Sequence, residues 1–162
     1  MPNFTATSSM MRDGETVPMT MVYSSTSCTG DNLSPDLRWS GAPEETKSYA
    51  VTMFDPDARS GAGFSHWVAY DIPAHVTSLE TGAGSLIHKR LQGTHGINDF
   101  GQARYDGPCP PLGDPPHHYH LTVYAIVVPA LRLREGATYA AFRSAARGLV
   151  AAQGEIVNPC GR

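Results

Sequence analysis

The sequence predicts a mainly β fold with one helix late in the chain, and three observations predict it. Runs of β-branched and aromatic residues recur between turn-rich stretches. Sixteen glycines and thirteen prolines punctuate the 162 residues, which favours strands and loops over a helical bundle. A single segment near the C-terminus combines helical spacing with a signal at each end.

Taken in order, short strands are expected at residues 3–8 and 36–39. Residues 48–54 (Ser-Tyr-Ala-Val-Thr-Met-Phe) are largely apolar and end at Asp55-Pro56, which reads as a buried strand. Residues 64–72 alternate, with His66, Val68 and Tyr70 on one face and Trp67, Ala69 and Asp71 on the other, and stop at Pro73. Residues 117–128 form the longest β run and end at Pro129. The helix is expected over 139–153: Thr138 caps it and Gly154 ends it. Phe142, Ala145, Ala146, Leu149 and Val150 form its apolar stripe. There is room for one further short helix elsewhere.

Hydrophobic residues make up 41% of the chain and charged residues 17%, a composition that folds rather than stays disordered. The length suits one domain over 1–162, which buries about two thirds of its unfolded surface. The formal net charge is −3, and no block of lysine or arginine occurs. Nucleic acid and anionic membranes therefore lack a basic field to hold them, and any bound anion needs a local site. The first residues lack the basic and apolar regions of a secretory signal, and no apolar run is long enough for a transmembrane segment. Cys28, Cys109 and Cys160 are odd in number with no C-x-x-C. The reading is a cytoplasmic protein with free thiols, one disulfide remaining an option.

Two places carry chemistry. Asp55 and Asp57 flank a proline at a strand end, and extended geometry points both carboxylates to one side; an Asx-turn is the plainer account. His66 follows nine residues later, after Gly61 and Gly63, close enough to return beside them. The second place is the proline-rich stretch 107–116, a stiff loop that delivers His117-His118-Tyr119-His120 to the start of a strand. Either His117 and Tyr119 face a pocket, or the His118-x-His120 pair binds a metal. Gly101, Gly107 and Gly113 permit close backbone approach, and free amides there could cradle an anion.

Three ordered motifs resemble the phosphatidylethanolamine-binding protein family, also called Raf-kinase-inhibitor-like proteins, in its bacterial branch. The first is Gly30-Asp31-Asn32-Leu33-Ser34-Pro35-Asp36-Leu37-Arg38-Trp39. The second is Phe54-Asp55-Pro56-Asp57-Ala58 with Gly63-Phe64-Ser65-His66-Trp67. The third is Tyr105-Asp106-Gly107-Pro108-Cys109-Pro110-Pro111 leading to His117-His118-Tyr119. The resemblance implies a central antiparallel sheet packed on a smaller sheet. It also implies a pocket for phosphate-like or acetate-like anions. That pocket would hold Asp55, Asp57, His66, His117 and Tyr119, with Gly107 and Pro108 in its wall. It selects the His117/Tyr119 face and leaves His118 and His120 as solvated side chains. Two departures stand out. Arg59 replaces the family's proline after D-P-D-A, which loosens the loop to His66, and Gly148-Leu149 replaces Gly-His.

Two carboxylates in an anion pocket would repel the ligand unless they serve the imidazoles. The expectation is that the aspartates accept hydrogen bonds from His66 and His117 and keep both as donors, with the Tyr119 hydroxyl and amides around Gly107 adding uncharged donors. Anion affinity then rises as pH falls from about 8 to about 6. The alternative is a metal-assisted hydrolase acting on a phosphate or ester through the same Asp/His set, or Asp55 acting as a general base. No G-x-S-x-G motif occurs, and Cys109 has no local activator. No catalytic residue, metal or cofactor is assigned. The expected role is a regulatory or inhibitor-type module that binds a small anion: phosphate, a phosphoryl head group or a carboxylate. The resemblance adds a protein partner, a kinase or a protease, and leaves a homodimer open.

Overall fold

The computed structural model describes residues 3–85 and 90–162. Among them run eight strands and one α-helix: β1 (Thr5–Thr7), β2 (Leu37–Ser40), β3 (Ser48–Asp55), β4 (Phe64–Pro73), β5 (Ser78–Leu79), β6 (Thr94–His95), β7 (His117–Ile126), α1 (Tyr139–Ala146) and β8 (Val150–Cys160). Two short 3-10 turns, Met19–Met21 and Arg59–Gly61, interrupt the loops. The strands form a small sheet, β1-β2-β5, and a five-stranded sheet, β6-β4-β3-β7-β8. Every pairing is antiparallel.

β3 lies at the centre of the large sheet and is apolar along both faces because both are covered. On one side Leu37 and Trp39 from the small sheet pack with Tyr49, Val51, Met53, Leu121 and Val123. On the other, Ala50, Val68, Tyr70, Tyr124 and Ile126 pack with Phe142 and Ala146 of α1. Thr138 caps the helix as expected, its hydroxyl accepting the Ala141 N–H at 3.1 Å.

The helix is shorter than its sequence suggests. It ends at Ala146, and Gly148, at φ +77°, turns the chain out of helical geometry. Residues 150–153 then begin β8, which holds ten register pairs with β7, from Ile126↔Val150 to His117↔Cys160. Alanine-rich composition favours helix by only tenths of a kcal/mol per residue. A full strand ladder and the burial of Ile156, Asn158 and Cys160 on alternate positions outweigh it. Gly154 is therefore not a helix stop. It sits mid-strand, where a Cβ would come within 2.9 Å of the Ala6 nitrogen, so its bareness lets β1 pass close.

β4 carries two irregularities. Pairing with β3 jumps from Tyr49↔Ile72 to Val51↔Ala69, beside Asp71 at φ +57°. It jumps again from Met53↔Trp67 to Phe54↔Ser65, which leaves His66 as the extra residue of a bulge. The free-thiol expectation is corrected for two cysteines: Cys28 and Cys109 are joined by a disulfide with Cα atoms 5.9 Å apart, and Cys160 is free and buried. Spacing concealed the pair, because 81 residues separate its members.

Candidate functional site

A cavity of about 780 Å³ opens where the end of β3, the bulge of β4 and the start of β7 meet the proline-rich loop. Strict alternation would point His66 toward Val68 and Tyr70, under α1. The bulge re-aims it to the opposite face, where its ring meets Tyr119 edge-on at 5.2 Å between centroids. Asp55 arrives on the last residue of β3, and His117 and Tyr119 on alternate positions of β7.

Asp55 is 2% exposed and is the fixed point of the site. One carboxylate oxygen lies 2.6 Å from His117 Nδ1, and the other accepts the Asp57 N–H at 2.9 Å. The far side of His117, Nε2, lies 2.9 Å from a carboxylate oxygen of Asp114. Both ring nitrogens thus meet pure acceptors, an arrangement satisfied when each nitrogen carries a proton. Burial works against that cation, but the hydrogen bonds and charges of Asp55 and Asp114 outweigh it and raise the His117 pKa above its ordinary value.

His66 differs. Its Nδ1 donates to the Asp106 carbonyl at 2.8 Å, not to an aspartate carboxylate. A carbonyl only accepts, so Nδ1 holds the proton and the neutral ring keeps a lone pair on Nε2. Burial pushes the His66 pKa down, against the pull of that carbonyl and of the Asp55 and Asp106 charges. Burial, together with the Asp55 charge, pushes the Tyr119 phenol well up, so it stays protonated. The expectation that both imidazoles lean on carboxylates therefore holds in geometry for His117 and fails for His66.

Asp57 lines the cavity but turns its carboxylate to the rim, where it accepts the His118 N–H at 2.8 Å and lies 2.9 Å from His118 Nδ1. The hydrogen bonds from His118 lower its pKa. His118 is thus engaged rather than merely solvated, while His120 lies 3.2 Å from Glu155, outside the cavity lining. Among the described residues no group of three or more His, Cys, Asp or Glu side chains gathers to hold one metal ion.

Gly107 and Pro108 stand behind the cavity rather than on its surface. The Gly107 N–H donates to the Asn32 side-chain oxygen at 2.7 Å, so it is not a spare donor for a ligand. A Cβ there would run into the Met21 carbonyl oxygen. The Pro108 carbonyl accepts the Tyr23 N–H at 3.0 Å. The adjoining stretch of this loop, Cys109, Pro110 and Pro111, lines the cavity instead. Behind it, the fully buried Asp106 carboxylate takes hydrogen bonds from Asn32, Asn98 and Arg104 at 2.8–2.9 Å, which fixes the carbonyl that orients His66.

The remaining wall is aromatic. Tyr23 stacks on Phe100 at 4.6 Å, and Phe64 meets Phe100 edge-on at 4.8 Å. The Arg59 guanidinium lies over Phe64, 4.8 Å from its centroid. Arg59 and Ser60 both take positive φ, +52° and +55°, in the short 3-10 turn that follows Ala58. Asp114, Arg59, Tyr23, Phe64 and Phe100 were not singled out for the site from sequence. Asp114 alone had a local signal, a carboxylate three residues before His117 in the same loop.

The two antiparallel sheets with an Asp/His/Tyr-lined cavity at one sheet end define a class of two-sheet β proteins, and comparison makes it specific. The phosphatidylethanolamine-binding protein model matches residues 7–159, and the chain belongs to that family. Relatives include the UPF0098 protein YbcL of Escherichia coli, 47% identical over 125 residues, covering 76% of this chain and 68% of that protein. The UPF0098 protein YbhB of the same organism is 40% identical over 129 residues, covering 79% and 81%. The crystal structure of E. coli YbcL superposes with a TM-score of 0.94 at 39% identity, covering 99% of each chain. A putative phosphatidylethanolamine-binding protein homologue from Chlamydia trachomatis gives 0.84 at 28%, covering 100% of this chain and 99% of that one. A putative lipoprotein, LppC of Mycobacterium tuberculosis, is also similar, 38% identical over 136 residues, covering 83% of this chain and 60% of that protein. No described helix is long and apolar enough to cross a membrane.

Proposed function

We propose that this chain binds a small oxyanion in the 780 Å³ cavity and serves as a regulatory binding module rather than a hydrolase. The ligand class is a phosphate, a phosphoryl head group or a carboxylate. The observation that carries the reading is His117, tied to buried Asp55 at 2.6 Å through one nitrogen and offering the other to a carboxylate oxygen at 2.9 Å. An oxyanion of a ligand meets the same donor in the same way. Neutral His66 complements it with an acceptor, which suits the P–OH of a protonated phosphate. Tyr119, Arg59 and the aromatic wall complete a surface for a phosphoryl group carried on an organic body.

Hydrolysis has less support. Cys109 is consumed by its disulfide and offers no nucleophile. Both His117 nitrogens are engaged by carboxylates, so neither is bonded to a hydroxyl that it could activate. The Cys28–Cys109 bond also favours an oxidising compartment over the reducing cytoplasm expected from the cysteine count.

Sulfate titration followed calorimetrically tests the reading, because sulfate stays dianionic across the range and only the protein titrates. Binding is expected to be strongest near pH 6 and to weaken toward pH 9, as pH rises through the raised His117 pKa. His117→Gln should abolish it. Equal sulfate affinity at both pH values would sink the proposal.

A further inference from the structure

We propose that Asp114 is an internal competitor: its carboxylate fills the anion seat on His117 and must be displaced before a ligand binds. The inference rests on the oxyanion reading above and deepens it, by naming the group that sets the affinity of the site.

The two carboxylates on His117 are unequal. Asp55 is 2% exposed, sits on a β-strand, and also accepts the Asp57 N–H. It cannot leave without stranding a buried charge. Asp114 is 43% exposed, and His117 Nε2 is the one hydrogen-bond partner of its carboxylate among the described residues. Released, it returns to water at little cost. One acceptor is therefore permanent and the other exchangeable.

The backbone around Asp114 suits an exchangeable group. Its N–H closes a turn on the Pro111 carbonyl at 3.2 Å, and Gly113 precedes it at φ +90° with open space where a Cβ would stand. Pro115 and Pro116 follow and fix the chain direction. Asp114 and its prolines line the same cavity as His117, so the carboxylate enters from the wall. A side-chain rotation, without movement of β7, suffices to vacate the seat.

Chemistry reinforces the assignment. A carboxylate at 2.9 Å from an imidazole N–H is itself an oxyanion, so Asp114 occupies the position a phosphate or carboxylate oxygen would take. An internal ligand at high effective concentration lowers apparent affinity by the fraction of time it holds the seat. Removing it should raise affinity for any oxyanion that uses His117.

Inorganic phosphate titrated at pH 7 into the wild-type chain, Asp114→Ala and Asp114→Asn is the test. Asp114→Ala should bind phosphate about tenfold more tightly, the scale of one lost charge-assisted hydrogen bond that is half exposed to water. Asp114→Asn keeps the shape without the charge and should fall between; it decides the matter if the alanine variant does not fold. In wild type, the His117 imidazole nitrogen resonances should move on adding phosphate, as one oxyanion replaces the other. Wild type and both variants binding phosphate equally, or the variants binding it less well, overturns the competitor role while leaving the anion seat standing. Phosphate binding by none of the three overturns the oxyanion reading and this inference with it.

Discussion

Replacing Asp55 by asparagine keeps the side-chain shape but removes the charge and exchanges one acceptor oxygen for an NH2 donor. In the native protein that carboxylate accepts from His117 Nδ1 at 2.6 Å and from the Asp57 N–H at 2.9 Å. A hydrogen bond to a charged group contributes about 1.5–3 kcal/mol, against about 1 kcal/mol for a neutral one. The amide oxygen can keep only one of these bonds, weakened, and its NH2 faces the other donor, so the loss is about 2–5 kcal/mol; sparing the carboxylate its burial pulls the value toward the lower half, about 3 kcal/mol. The loss depends on pH with a definite sign. His117 has a folded pKa above its unfolded value, so its contribution is complete below about 6.5 and fades as pH rises through the folded pKa. Urea unfolding of both proteins between pH 5.5 and 9 should show the gap widest at the acid end and narrowing as pH rises. A gap that stays constant with pH, or an asparagine variant more stable at pH 6, would refute the idea that Asp55 holds an imidazolium.

Two more outcomes concern the frame around the site. Phe142→Ala empties the centre of the second core, where the fully buried ring meets Tyr124 at 5.3 Å between centroids. It should cost about 3–5 kcal/mol by urea unfolding with little change in slope; a loss below about 1 kcal/mol would show that α1 contributes little to the fold. Cys28→Ser opens a covalent loop 81 residues long, worth about 4–5 kcal/mol by chain entropy, and should lower the midpoint of thermal unfolding. Thiol titration of the denatured, unreduced protein should find Cys160 alone, and three reactive thiols there would rule the disulfide out.

The strands were legible because their signals are local. Residues 48–54 and 117–128 carry β-rich sequence bounded by proline, and β3 and β7 begin where expected. The misread helix end shows where local signals fail. Ala151 and Ala152 favour helix weakly, and nothing near them announces the β7 edge that pairs with β8. A period-2 pattern from Gly154 through Ile156, Asn158 and Cys160 was present, but a glycine after a helical stretch has two meanings. In the site, the family resemblance groups Asp55, His66, His117 and Tyr119, whereas the residues alone leave both faces of 117–120 open; the four do lie together. Their hydrogen bonds could not be assigned. The bulge at His66 depends on register against β3, and its partner is a backbone carbonyl that no residue identity discloses. Asp114 is not legible as a site residue, because a carboxylate between glycine and proline reads first as a turn residue.

The disulfide matters for the unfolded chain as well as the folded one. Cys28 lies five residues after Tyr23, which lines the cavity, and Cys109 lies in the same wall, next to the Pro108 carbonyl that accepts the Tyr23 N–H. When the oxidised chain unfolds, these two segments of the wall cannot drift apart, although every strand between them can melt. The long-range encounter that would otherwise slow assembly of a strand-rich topology is already made. Refolding of the oxidised protein thus begins with one wall of the cavity already closed, whereas the reduced protein must find that closure by diffusion.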